Sequence, residues 1–180
     1  MILTTDRLIL RPWKVSDAKD LYHYAKDERI GPAAGWPPHK NIEESEEIIR
    51  SIFSQPGVFA VTPKGDDTAI GCIGLIIGSK SNFPISEDEG EISYWLGVPF
   101  WGQGLIPEAV KEMIRYGFEE LSLTTLWCGY FDGNEKSRRV QEKCGFTFHH
   151  TNQLQFYPLI DEWRIEHVSR LTKDEWQKRF

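Results

Sequence analysis

Hydrophobic and polar positions along this chain repeat in two rhythms, and the points where the rhythm changes mark its elements. Between Pro107 and Leu121 the apolar residues keep helical spacing: Ala109, Met113 and Gly117 fall on one line, Val110, Ile114 and Phe118 on the next, while Lys111, Glu112 and Arg115 face away. Pro107 suits a first turn, since its missing N–H would have had no partner inside the helix, so the helix should start close to Ile106. Before it, Glu91 to Leu96 is β-branched and aromatic enough for a strand. Gly97, Gly102 and Gly104 stand between the two.

The flanking segments follow the same logic. Leu8, Leu10 and Pro12 alternate with Arg7, Ile9 and Arg11, which predicts an opening strand with one drier face. Ser16 is a candidate N-cap for a helix through Leu21 and Ala25, and the glycines and prolines of Gly31 to Pro38 predict a loop. Asn41, with Glu44 three residues on, predicts the start of a helix whose stripe is Ile48, Ile49, Ile52 and Phe53. Val58 to Val61 and Ala69 to Ile77 read as a hairpin around the turn-rich Pro63 to Asp67. Gly78 to Gly90 is polar, and its run Glu87, Asp88, Glu89 is either solvated or serves to attract a cationic substrate.

In the second half, Thr124 to Tyr130 reads as a strand, Asn134 as a cap, and Gly145 as the stop of a helix reaching Cys144. Phe146 begins the next strand, and Thr147 to Ser169 reads as two strands around Tyr157 to Glu162. Thr172 with Glu175 forms a capping box for a closing helix that carries Trp176. Strands alternate with helices, but the hairpins exclude a purely parallel sheet. The pattern predicts a mixed central sheet flanked by helices, in one domain spanning 1–180, with no internal repeat or linker.

Composition narrows the class. With 40% hydrophobic and 27% charged residues the chain is an ordinary globular one, and no apolar run is long enough to span a membrane. The first residues lack the layout of a secretory signal, so a cytoplasmic location is expected. A net charge of −6 argues against non-specific nucleic-acid binding, which needs a dense basic face. Any anionic ligand must therefore be held locally. Cys72, Cys128 and Cys144 are odd in number and widely spaced, and read as buried free thiols.

A strand running through glycines into a helix start gathers backbone N–H groups at the positive end of a helix dipole, which makes a cradle for phosphate; a tight strand-to-helix turn without ligand is the plain alternative. Glu108, in the first turn, suits the dipole. His149 and His150 are neighbours in a strand and should point to opposite faces, which disfavours joint chelation, and no metal is expected.

Four stretches decide between these readings: the opening TTDRLILRPW, the block EISYWLGVPFWGQGLIPEAV, the segment N-x-x-S-x-x-V-x-x-K-x-G-F at Asn134 to Phe146, and the closing HVSRLTKDEW. Together they resemble the GNAT superfamily of acyl-CoA-dependent N-acetyltransferases, and within it the branch similar to the ribosomal-protein N-terminal (alanine/serine) acetyltransferases. The resemblance implies an α/β (α+β) fold with a mixed, mostly antiparallel central sheet of about seven strands, flanked by helices, with two central strands splayed apart to admit a pantetheine arm. It implies acetyl-CoA as co-substrate, a primary amine as acceptor (a protein N-terminus or a small molecule), and a monomer or homodimer.

The resemblance also implies roles for residues. The pyrophosphate would lie on Trp101, Gly102, Gln103, Gly104, Leu105 and Ile106, and the backbone of Leu96 and Val98 would meet the pantetheine, with the Val98 N–H polarising the thioester. Many of these enzymes protonate the departing thiolate with a Tyr at the place of Gln141; here Ser137 takes that role, unless it is a solvated first-turn serine. Asn134 would hold the pantetheine or cap the helix, and Arg138 would reach the 3′-phosphate or stay in solvent. Glu91 is the candidate base, against a strand-edge carboxylate with no chemistry. Trp36, His39, Phe83 and Tyr157 are the candidate acceptor residues. A non-catalytic CoA-binding module is the alternative, and a nucleotide-binding domain is weaker because neither G-x-x-x-x-G-K nor G-x-G-x-x-G is present.

Overall fold

The computed structural model describes residues 1–179. The strands are β1 (Leu3–Thr4), β2 (Leu8–Pro12), β3 (Val58–Pro63), β4 (Gly71–Ile77), β5 (Glu89–Leu96), β6 (Thr125–Phe131), β7 (Thr147–Thr151), β8 (Gln155–Tyr157), β9 (Glu162–Arg164) and β10 (Glu166–Thr172). The helices are α1 (Ala18–Ala25), α2 (Gly31–Ala34), α3 (Ile42–Ile48), α4 (Leu105–Arg115), α5 (Glu135–Lys143) and α6 (Lys173–Arg179). Eight strands form one sheet in the order β1-β2-β3-β4-β5-β6-β10-β7, and β8 with β9 forms a separate two-stranded sheet. Pairing is antiparallel for β1/β2, β2/β3, β3/β4, β6/β10 and β7/β10, and parallel for β5/β6. This is the expected mixed, mostly antiparallel sheet with flanking helices, one strand larger than the seven expected.

By compactness the chain divides into two units, one of residues 1–74 with 94–109, the other of 75–93 with the chain from Val110 onward. In the first unit Leu8 and Leu10 are fully buried, as the alternation predicts, but so is Arg11. Its guanidinium makes two bonds to Asp17, at 2.8 and 2.9 Å, and two to Asp67, at 2.6 Å to the carboxylate and 2.9 Å to the backbone carbonyl. The drier face thus has a charged neighbour that is also withdrawn from water, and only the partners make that tolerable. Asp17, rather than Ser16, precedes α1, after a 3₁₀ turn at Val15–Asp17. The loop expected at Gly31 to Pro38 contains the single helical turn α2, and a Cβ on Gly31 would lie 2.5 Å from Trp36, so backbone and ring meet there. Asn41 caps α3 as expected, its side chain accepting from the Glu44 N–H at 2.7 Å.

In the second unit β6 and β10 pair over seven residues, Thr125 to Phe131 against Thr172 back to Glu166. The parallel β5/β6 ladder covers Glu89, Gly90 and Glu91 against Thr125, Leu126 and Trp127. One residue further along, the Ile92 carbonyl accepts from the Cys128 thiol at 3.1 Å. Leu75, Leu123 and Leu126 surround Gly90 and Gly117 so closely that a side chain at Gly90 would collide at 2.7 Å. Phe118, fully buried, packs its ring 5.5 Å from that of Trp176, and burying such a side chain stabilises the fold by about 1.5–3 kcal/mol. The capping box at α6 forms in both directions, at 2.9 and 3.2 Å.

Two expectations fail in this unit. Thr147 to Ser169 holds β7, β8, β9 and the start of β10 rather than two strands, because Pro158 to Asp161 closes a hairpin of its own. His149 and His150 do not point apart: the β7/β10 register shifts at Val168/Ser169, and the bulge brings their Nδ1 atoms to 2.8 Å. Among the described residues no group of three or more His, Cys, Asp or Glu could hold a metal ion, and no helix is long and apolar enough to cross a membrane.

Candidate active site

The glycine loop belongs to the first unit. After β5 a 3₁₀ turn, Val98–Phe100, leads through Trp101 and the exposed Gly102, Gln103 and Gly104 into α4. Gly102 and Gly104 sit at φ +75° and +74°, a conformation that glycine adopts without the strain a Cβ brings. Gly97 is different: its φ is −55°, and a Cβ there would lie 2.6 Å from the Tyr24 ring, so packing requires the glycine.

Several carbonyls of this segment are engaged by donors of the chain. That of Leu96 accepts from the Trp101 indole at 2.8 Å, Val98 from the Trp101 N–H at 3.1 Å, and Pro99 from the Gln103 side chain at 3.2 Å. Gln103 accepts from Arg7 at 2.9 Å and Gly104 from the Glu108 N–H at 3.2 Å. Glycines at positive φ leading into a helix start are compatible with a phosphate group there. Leu105 and Ile106 are buried, so their bulk points inward.

Arg7, whose role sequence reasoning missed, braces the loop. Its Nε bonds Glu108 at 2.7 Å while its backbone N–H donates to the same carboxylate at 2.8 Å. Burial alone would raise the Glu108 pKa, but the Thr5 hydroxyl and the two Arg7 donors outweigh it and hold the carboxyl below its usual range. A cavity of about 280 Å³ opens beside Val98 and Pro99, bordered by Tyr24 and Asp27. Trp36 and His39 lie in this unit as well, their rings 5.2 Å apart. Trp36 leans on Trp95 of the core, and the buried His39 bonds Ser45 Oγ at 2.7 Å, with burial lowering its pKa.

The remaining candidates belong to the second unit. The Asn134 side chain accepts from the Ser137 N–H at 3.3 Å and so caps α5. One turn on, the buried Gln141 donates from Nε2 to the Gly129 carbonyl at 3.0 Å and to Ser137 Oγ at 3.3 Å. A hydroxyl oxygen that accepts such a bond keeps its own O–H as a donor. Arg138 pairs with Glu135 and Glu142 at 2.6 and 3.2 Å on the same helix.

Glu91 is buried, and its carboxylate accepts from Ser81 Oγ at 2.7 Å, Asn82 N–H at 2.8 Å and Asn82 Nδ2 at 3.4 Å. Sequence reasoning passed over a second carboxylate beside it. Glu166, at the start of β10, is half-buried; burial first and the charge of Glu91 second push its pKa up to about 7, against an opposing bond from Asn152. Its carboxylate oxygen comes within 2.9 Å of where a Cβ on Gly129 would stand, and the tip of Phe83 within 2.8 Å. Tyr157 packs its ring 4.9 Å from Phe131, and its pKa is raised by burial and by Glu166. Phe83 and Tyr157 thus share the surroundings of Glu166. No periodicity signal could have found that residue, since a lone Glu at a strand start reads as solvated.

The glycine loop and the start of α4 make this the candidate cofactor site. Residues 7–147 match the family model described as Acetyltransferase (GNAT) domain, and the chain belongs to that family. It is 30% identical over 129 residues, 69% of this chain and 70% of the relative, to a Bacillus licheniformis protein named Uncharacterized N-acetyltransferase p20. Its fold is similar to that of an acetyltransferase (GNAT family) from Bacillus anthracis, with a TM-score of 0.84, 20% identity and coverage of 97% and 99% of the two chains. It is also similar to the ribosomal-protein-S5-alanine acetyltransferase from Vibrio fischeri, with a TM-score of 0.75, 21% identity and 98% coverage of each.

Proposed function

We propose that this acyltransferase uses acetyl-CoA to acetylate a primary amine, an N-terminal α-amino group or a small molecule, with residues 1–180 working as one domain. The family match draws on both compact units, since it runs from residue 7 to 147. The observation that carries the reading is the loop at Trp101 to Ile106: glycines at positive φ, nearby carbonyls engaged by donors of the chain and a helix start behind them. In this reading Trp101 to Ile106 hold the pyrophosphate, Leu96 and Val98 meet the pantetheine, and Asn134 and Arg138 support the cofactor. The similarity to an enzyme named for ribosomal protein S5 alanine favours a peptide N-terminus as acceptor.

The amine nitrogen attacks the thioester carbonyl carbon, the new N–C bond forms and the C–S bond breaks. Nitrogen gives up a proton to a base, and the thiolate takes one from the Ser137 hydroxyl, which water restores. Trp36, His39, Phe83 and Tyr157 remain the candidates for contact with the acceptor.

Thermal unfolding with acetyl-CoA, CoA and ATP in parallel tests the cradle. A ligand at a hundred times its Kd stabilises by about 2.7 kcal/mol. Shifts with both CoA species and none with ATP are expected, followed by acetylation of a peptide with free N-terminal alanine or of a member of an amine panel. No shift with either CoA species overturns the assignment.

A further inference from the structure

Two carboxylates of the second unit, Glu91 and Glu166, lie close enough for the charge of one to act on the other, and their surroundings differ. Glu91 accepts three hydrogen bonds, from Ser81 Oγ, Asn82 N–H and Asn82 Nδ2, and is only 7% exposed. These donors fix the orientation of the Glu91 side chain, which cannot swing without losing them. Glu166 is placed differently. Its side chain is half-buried and lies over Gly129, the position of β6 where a Cβ would stand 2.9 Å from its Oε2 and 2.8 Å from the Phe83 ring.

In the β6/β10 register Glu166 stands opposite Phe131 and Val168 opposite Gly129, so Glu166 reaches diagonally along one face of the sheet into space that only a glycine leaves. Two residues expected to touch the acceptor, Phe83 and Tyr157, flank it. We propose that Glu166, and not Glu91, is the general base that removes a proton from the acceptor amine. This assignment rests on the acetyl-transfer reading above. One N–H proton passes to the Glu166 carboxylate and then to solvent, the nitrogen lone pair forms the N–C bond, and the C–S pair leaves with the thiolate.

The groups that act on Glu166 are few: Glu91 from β5, Asn152 from the β7–β8 connection and Tyr157 from β8. Glu91 supplies a fixed negative charge that favours the protonated form of its neighbour, and Asn152 opposes it weakly. A carboxylate so poised is matched to proton abstraction near neutral pH, whereas an ordinary exposed Glu would be too weak a base.

The test is acetyl transfer to an alanine-initiated peptide and an amine panel by the full chain, the wild type against Glu166→Gln, Glu166→Asp and Glu91→Gln, with CoA binding by calorimetry as control. Glu166→Gln should lower kcat by about 100-fold with the CoA Kd unchanged, and Glu166→Asp should recover part of the rate. The acid limb of kcat against pH should disappear in Glu166→Gln and move to lower pH in Glu91→Gln. A Glu166→Gln rate within threefold of the wild type, or loss of the acid limb only in Glu91→Gln, overturns the assignment. A wild type that binds CoA but acetylates no amine overturns the acetyl-transfer reading and this base with it.

Discussion

Nε2 of Gln141 lies 3.3 Å from Oγ of Ser137, one turn apart on α5, and 3.0 Å from the carbonyl oxygen of Gly129 on β6. One buried amide therefore fixes the serine hydroxyl and ties the helix to the strand beneath it. Ser137→Ala should lower kcat by about 100-fold and leave the CoA Kd unchanged, as measured by steady-state kinetics and calorimetry. Gln141→Leu should cost about 1–3 kcal/mol in urea unfolding, because the half-buried Gly129 carbonyl loses its Gln141 donor.

Arg7 holds the carbonyl of Gln103 and the carboxylate of Glu108. It is half-exposed, so its ion pair contributes about 1 kcal/mol or less to stability. Its removal acts on the loop instead. Arg7→Met should weaken CoA binding several-fold with kcat little changed, and amide exchange at Gly102 to Gly104 should quicken.

The pair Arg11 and Asp17 has the opposite balance, with both side chains 6% exposed. Arg11→Met leaves Asp17 buried without its partner, and a loss of about 3–5 kcal/mol in chemical denaturation is the expected outcome.

Glu166 carries a pH signature in the fold itself. Its folded pKa of about 7 stands above the ordinary 4.5, so the folded protein binds the extra proton between those values. The stability this adds is fully present below pH 4.5 and gone once pH has risen past about 7. Melting temperature followed across that window should fall with rising pH in the wild type, and the fall should be smaller in Glu166→Gln.

All three cysteines are buried, and burial pushes the thiols of Cys72 and Cys144 up to about 12 and about 11. Native protein at pH 8 should resist iodoacetamide for hours, and mass spectrometry should find all three alkylated after unfolding.

Periodicity alone located α4, β5, β6 and both capping devices, because each depends on residues within one or two turns: Pro107 near the first turn, Asn41 and Glu44 at α3, Thr172 and Glu175 at α6. The glycine turn before α4 was legible for the same reason, since positive φ at Gly102 and Gly104 is a local demand. What the chain's order concealed were relationships over long separations. Arg7 meets Gln103, Gln141 meets Gly129, and Glu166 lies over Gly129 beside Phe83; no spacing rule links these pairs.

His149 and His150 show the limit most plainly. Strand alternation sets them on opposite faces, and a bulge fixed by pairing with β10 brings them together. The sequence by itself determined most of the elements, the caps at Asn41, Asn134 and Thr172, and the positive φ of Gly102 and Gly104, because backbone conformation answers to near neighbours. Only the tertiary structure decided which carboxylate is locked by donors and which is left over a glycine, because burial, charge and hydrogen bonding are set by residues that meet through the fold.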